Sequence, residues 1–221
     1  TNDDVEQNTL TGALNFTSSD LEMCDDANVN QVIGIRFNNL AIPKDAIISN
    51  AYIEFTSIES DNTALNINIA GHASDNSGTW NGSFDVSNRP KTTATVLWQH
   101  TAATAWTVAG VYQSPSLTPI VQELVNRPGW DLNRSMSFIL WGTSTNERVA
   151  YSRNGSSTLQ PDLCIEFSLP VITPLSIELI DFSAQLDGRQ VNLTWATASE
   201  TDNDYFVIER SHDASVWFGI G

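Results

Sequence analysis

Three histidines, two cysteines, seven tryptophans and 26 acidic residues are the groups in this 221-residue chain whose types suit chemistry. His72, His100 and His212 lie in three separate segments, none within a G-x-S-x-G turn or a comparable frame. Nucleophilic catalysis needs a base in reach of the nucleophile and a third group to orient it, and no such arrangement is written here. No H-x-x-x-H or C-x-x-C spacing offers zinc a site, and no glycine-rich loop cradles a phosphate. Two carboxylates at glycosidase separation leave no mark in a sequence. No catalytic residue is assigned, and the expectation is a protein that is not an enzyme.

Calcium is the one cofactor the residues suggest. A hard cation takes about six to eight oxygens. The N-terminal acids Asp3, Asp4 and Glu6, with Asp20, Glu22, Asp25 and Asp26, supply many at an edge where first and last strands should meet, and Asp162 would join them there. No contiguous D-x-D-x-D-G loop is present, and the alternative is a solvated acidic strand edge.

The tryptophans suggest a sugar, because an aromatic face stacks on pyranose C–H groups while polar neighbours take the hydroxyls. Trp80, Trp98, Trp106 and Trp130 fall in or beside loop-like stretches, with Asn76, Asn81, Arg89 and Lys91 near in sequence. Trp141 and Trp195 lie within strand patterns and read as core. The alternative for the first four is packing over the end of a sandwich. Cys24 and Cys164 sit near opposite ends of one domain, each in a strand-like run. Neighbouring first and last strands would allow a disulfide in an oxidising compartment, against the alternative of two buried thiols.

The elements that must position these residues are β-strands. Short runs rich in β-branched and aromatic residues span Gln31–Phe37, Ala51–Ser57, Leu65–Ala70, Thr93–Trp98, Ser135–Trp141, Arg148–Ser152 and Asp162–Leu169. Turn signals such as Pro43-Lys44-Asp45, Asn81-Gly82 and Asn154-Gly155 separate them. This spacing predicts an all-β jelly-roll sandwich over residues 1–168. One segment differs: Leu117, Ile120, Val121, Leu124 and Val125 recur at helical spacing within Ser116–Arg127, with Ser114 or Ser116 as cap and Pro128-Gly129 as stop, so a short amphipathic helix closes one end. Residues 169–174, with Pro170 and Pro174, read as a stiff linker. From 175 to 221 the runs Leu175/Ile177/Leu179/Phe182, Val191/Leu193/Trp195 and Phe206/Ile208 give about three strands, too few for the roughly seven of a fibronectin or immunoglobulin-like sandwich.

Two resemblances follow from these residues. Asp3-Asp4-Val5-Glu6, Leu14 to Glu22, Ile33-Gly34-Ile35-Arg36-Phe37, Ile42-Pro43 and Ile47 to Phe55 resemble the DNRLRE-type jelly-roll superfamily, which includes carbohydrate-binding modules of secreted hydrolases and surface proteins. Thr197-Ala198-Ser199-Glu200 followed by Asp204-Tyr205-Phe206-Val207-Ile208-Glu209-Arg210 is similar to the fibronectin-like module near the C-terminus of type IX secretion cargo. The resemblances imply a secreted or cell-surface module that binds polysaccharide or another surface polymer. A structural subunit of an extracellular fibre or surface layer, self-associating through the incomplete C-terminal sandwich, is the competing expectation, and the non-catalytic part of a secreted hydrolase is the third.

Composition sets the outer limits. Twenty-six acidic against ten basic residues give a net charge of −16, so phosphate backbones are repelled and nucleic acid is not an expected partner. No apolar run approaches the ~20 residues of a membrane span, and no membrane insertion is expected. The polar start at Thr1 reads as a mature terminus.

Overall fold

The computed structural model describes residues 3–169, 179–198 and 205–220, and the chain divides into two units, residues 1–170 and 171–221. Most of the expected linker, with Pro170 and Pro174, lies outside the described residues, as do Leu175, Ile177, Ser199, Glu200 and Asp204.

The first unit is an antiparallel β-sandwich. Its elements are β1 (Asp4–Asn8), β2 (Leu14–Asn15), β3 (Asp20–Met23), β4 (Asp25–Asp26), β5 (Val29–Leu40), β6 (Ile47–Thr56), β7 (Leu65–His72), the one-turn helix α1 (Asp85–Asn88), β8 (Lys91–His100), β9 (Val111–Gln113), α2 (Thr118–Val125), β10 (Arg134–Trp141), β11 (Arg148–Tyr151) and β12 (Asp162–Ser168). One layer runs β2-β1-β5-β10-β7-β8, with β4 hairpinned onto β5. The facing layer comprises β12-β6-β9 and the pair β11-β3, tied together by a bridge between Ser57 and Ala150. All seven strands expected from patterning form, most of them one to four residues longer or shorter than their apolar runs.

Period-two alternation puts Ile33 and Ile35 of β5, Met136, Phe138 and Leu140 of β10, and Ile67 and Ile69 of β7 on the face that meets Ala51, Ile53 and Phe55 of β6. The opposite face of the large layer carries a smaller cluster of Val5, Val32, Ile139, Trp80 and Val86. Here Val5, Gly34, Ile139 and Ala70 lie side by side across four strands. The segment carrying Trp80 and α1 folds over them. A Cβ at Gly34 would come within 2.7 Å of the Trp80 ring, so the indole reaches the sheet only because position 34 has no side chain.

Helix α2 is shorter than its apolar pattern and has no side-chain cap; Ser114 Oγ instead accepts the Ile53 N–H at 3.1 Å. Ile120, Val121, Leu124 and Val125 are buried. Two adjacent polar residues fasten the helix to both layers. Gln122 accepts the Ile48 N–H of β6 at 2.9 Å, and the Glu123 carboxylate accepts the Thr93 and Ala94 N–H groups of β8, each at 2.8 Å. The helix therefore closes the open side of the sandwich over the first half of β8 and leaves the second half uncovered.

The second unit contains the hairpin β13 (Leu179–Asp187) and β14 (Gln190–Thr197) and the short pair β15 (Glu209–Arg210) and β16 (Phe218–Gly219). Phe182 lies opposite Trp195, Ala184 opposite Leu193 and Leu186 opposite Val191, whereas Ser183, Gln185, Asn192 and Thr194 occupy the other face. Trp195, expected to be core, is 39% exposed and packs on Phe206 with 5.9 Å between ring centroids.

Candidate functional site

The acidic residues do not converge on an ion site. Asp3 is paired with Arg36 at 2.6 Å, Asp4 accepts the Arg153 N–H at 2.6 Å, Glu6 accepts the Glu22 N–H at 2.8 Å, and Asp20 accepts the Ser18 hydroxyl at 2.6 Å. Asp162 sits in the other layer, opposite Glu54 on β6. Among the described residues no three His, Cys, Asp or Glu side chains are gathered closely enough to hold a metal. Asp162 falls out of the expected calcium set for a topological reason: β12 pairs with β6, not with the N-terminal strands.

The Cys24–Cys164 disulfide is corrected as well, since both thiols are free. Cys24 follows β3 in a left-handed conformation, φ 87°, which turns its sulfur inward towards the Asn66 carbonyl at 3.8 Å. Cys164 lies opposite Tyr52, on the outward-facing parity of β12, and its side chain meets the Tyr52 phenol. The core of the sandwich lies between the two.

Nor do the four loop tryptophans present stacking faces. Trp80, Trp98, Trp106 and Trp130 are each no more than 7% exposed. Trp80 is clamped between Gly34 and the Arg89 guanidinium, 3.9 Å from its ring, and Trp130 donates to the Ile42 carbonyl at 3.0 Å. Their large apolar area goes to the core first.

Within the first unit, Trp141, expected to be core, faces outward. Core and surface alternate along β10, so Phe138 and Leu140 point inward while Ile139 and Trp141 point to the outer face. The Trp80 segment covers Ile139 and stops short of Trp141. Around the half-buried Trp141 ring is a groove of about 340 Å³ lined by Thr9, Asn30, Val32, Ser87, Lys91, Gly142 and Thr143. The Lys91 ammonium stands 5.6 Å from the ring centroid and donates to the Ser87 carbonyl at 2.8 Å; burial pulls its pKa down. An aromatic face ringed by hydroxyls, an amide and one ammonium suits a hydroxylated ligand. The sequence signal for it was present, a tryptophan on the parity of Ile139 and opposite that of the core-facing Phe138 and Leu140, but nothing in the sequence says where the covering loop ends.

Trp98 and Trp106 do come together, around His100. The His100 ring centroid lies 4.7 Å from that of Trp98 and 5.7 Å from that of Trp106, which stacks on Tyr112 at 4.7 Å and 5°. A capped 3-10 turn at Ala102–Thr104 carries the chain across from β8 towards β9. The reciprocal bridge between Asp61 and Trp106 then pins the indole. These residues, with Gln99, Thr104 and Gln113, line a cavity of about 350 Å³ at the uncovered half of β8. His100 is 3% exposed, and neither ring nitrogen has a hydrogen-bond partner. Burial and the nearby Arg148 push its pKa down to about 4, so the imidazole is neutral at physiological pH. An unsatisfied buried polar atom costs on the order of 1–3 kcal/mol.

One histidine meets serine. His72 Nδ1 lies 2.7 Å from Ser77 Oγ, which lies 2.6 Å from Ser137 Oγ and accepts from Arg89 at 3.2 Å. Ser77 is 1% exposed and its oxygen already accepts from a guanidinium. Burial and Arg89 push His72 down to about 4, the wrong direction for a base at neutral pH. The network holds the loop under Trp80.

No family model matches the chain, and no curated protein matches it. Among the described residues no helix is long and apolar enough to cross a membrane.

Proposed function

We propose that residues 3–169 form a non-catalytic recognition module of a secreted or cell-surface protein, binding a polysaccharide along the outer face of the large sheet. The observation that carries this reading is the Trp141 groove: an indole left half-open on the outer sheet face, beside Lys91 and flanked by Thr9, Asn30, Ser87 and Thr143. The ring supplies the stacking face, and the polar rim supplies hydrogen bonds to hydroxyls. The DNRLRE-type resemblance supports the same ligand class. Affinity electrophoresis through gels containing neutral and acidic polysaccharides tests it. The wild-type chain should be retarded in at least one gel and Trp141→Ala should migrate freely, with its urea midpoint little changed. Free migration of the wild type in every gel contradicts the reading.

A second reading, assembly into a fibre or surface layer, draws on the second unit, where Phe182, Leu186, Val191 and Trp217 are each more than half exposed. Apolar faces of that kind mark interaction surfaces. Sedimentation of the chain across a concentration series separates the readings: a monomer throughout removes the second.

A further inference from the structure

The tripeptide Asn-Gly-Ser occurs twice in the first unit, at Asn81-Gly82-Ser83 and at Asn154-Gly155-Ser156, and in both copies the asparagine and the glycine are exposed. An Asn-Gly pair carries its own chemistry. With no side chain at the glycine, the glycine backbone nitrogen reaches the asparagine carboxamide carbon and closes a five-membered ring. Sequence and exposure treat the two copies alike, and the hydrogen bonds around them do not.

At 154 the reacting groups are held. The Gly155 N–H donates to Ser152 Oγ at 3.1 Å, and the Asn154 carboxamide nitrogen donates to the Phe16 carbonyl at 2.5 Å. Ser152 is itself buried and donates to the Ser18 carbonyl at 2.6 Å. The space beside Gly155 is filled as well, since a Cβ there would run into the Ser19 carbonyl. The nitrogen and the carboxamide meet only if both hydrogen bonds break.

At 81 these restraints are missing. Gly82 has φ 77°, with nothing within 4 Å of the place a Cβ would take, and among the described residues its N–H has no hydrogen-bond partner. The Asn81 carboxamide makes a long contact with the Thr79 carbonyl, 3.4 Å. What is fixed is the other side of the residue, where the Asn81 N–H donates to Asp85 Oδ2 at 2.8 Å.

We propose that Asn81 is a site of spontaneous deamidation in the folded protein and that Asn154 is protected from it. The Gly82 nitrogen attacks Asn81 Cγ and loses its proton. A C–N bond forms, the Cγ–Nδ2 bond breaks, and ammonia leaves with that proton. Water then opens the succinimide at either carbonyl, supplying the hydroxyl of a new carboxyl group and the proton that returns to the nitrogen. Aspartate or isoaspartate results, with no oxidant consumed. The isoaspartyl product adds a methylene to the main chain directly after Trp80, in the loop that Asp85 and Arg89 tie down over Val5 and Ile139.

The test holds the intact chain at mildly alkaline pH for several weeks and maps its digest by mass spectrometry. The peptide carrying Asn81 should gain the mass of an acid in place of an amide, eluting as an aspartate and isoaspartate doublet, roughly tenfold or more faster than the peptide carrying Asn154. In guanidinium chloride, where the fold no longer protects either copy, the two rates should converge. Asn81→Gln should remove the conversion at 81 and leave that at 154 as it was. Equal native rates, faster conversion at Asn154, or no conversion at Asn81 would overturn the assignment. The isoaspartyl fraction, separated by chromatography, should unfold at a lower urea midpoint than the unaged chain, and an unchanged midpoint would overturn the consequence for the Trp80 loop.

Discussion

The Glu6 carboxylate accepts a 2.8 Å hydrogen bond from the backbone N–H of Glu22, which brings two acidic side chains from adjoining strands together at the rim of the sandwich. Burial, and then the charge of neighbouring carboxylates, raises Glu6 to about 7 and Glu22 to about 8; Asp20 and Asp26 act on both, and Glu147 also acts on Glu22. Raised acids bind protons more tightly in the folded state. Their stabilisation is complete below about pH 4.5 and is lost as pH rises through 7 to 8. His72 and His100, both lowered to about 4, act oppositely, stabilising above 6.5 and losing that contribution as pH falls. Above pH 6.5 only the acids remain in play, so stability should fall towards pH 8.5. Glu6→Gln keeps the acceptor without the charge. It should match wild type near pH 5 and exceed it by about 2 kcal/mol at pH 8, read from urea midpoints. Parallel pH profiles for the two proteins would place the Glu6 charge elsewhere than described.

Gly34 and Trp80 should prove inseparable. A methyl group at 34 would press on the indole ring, so Gly34→Ala should cost about 1–3 kcal/mol, and Trp80→Ala, which empties the clamp beneath Arg89, about 3–5 kcal/mol. The double variant relieves the clash and should cost less than the sum of the two. Chemical denaturation of the three variants gives the coupling energy, and strict additivity would contradict the contact.

Removing the Glu123 carboxylate should loosen the covered edge. Glu123→Ala leaves the Thr93 and Ala94 N–H groups to water and should cost on the order of 1–2 kcal/mol. Hydrogen exchange at those two amides should accelerate well beyond that of the paired interior of β7. Unchanged exchange at Thr93 and Ala94 would mean the carboxylate does not hold the edge.

The cysteines should react one at a time. Cys24 is buried and its thiol is pushed up to about 12 by burial, so it resists alkylation until the chain unfolds. Cys164, half-buried on the outer parity of β12, should be alkylated in the native protein. Mass spectrometry should find one adduct before denaturation and two after, and a mass two hydrogens short of the reduced chain would reinstate the disulfide.

Patterning along the chain determined the seven main strands and the amphipathic helix, because alternation and helical spacing are local consequences of burying one face. It also separated the first unit from the C-terminal runs. What it left open was which face of each strand is finally covered. Trp141 and Phe138 obey the same period-two rule on β10, yet one meets the core and the other meets a loop that ends too soon. Trp80 reads as a loop residue and is core, because a glycine 46 positions earlier leaves room for it on the sheet. His100 was one of three scattered histidines until antiparallel pairing and the Asp61–Trp106 bridge drew it in among Trp98, Trp106 and Tyr112. Likewise the partner of β12 decided the fate of Asp162 and Cys164. Strand pairing and loop coverage join residues far apart in sequence, and the free energy that selects them comes from long-range packing, which no local pattern encodes.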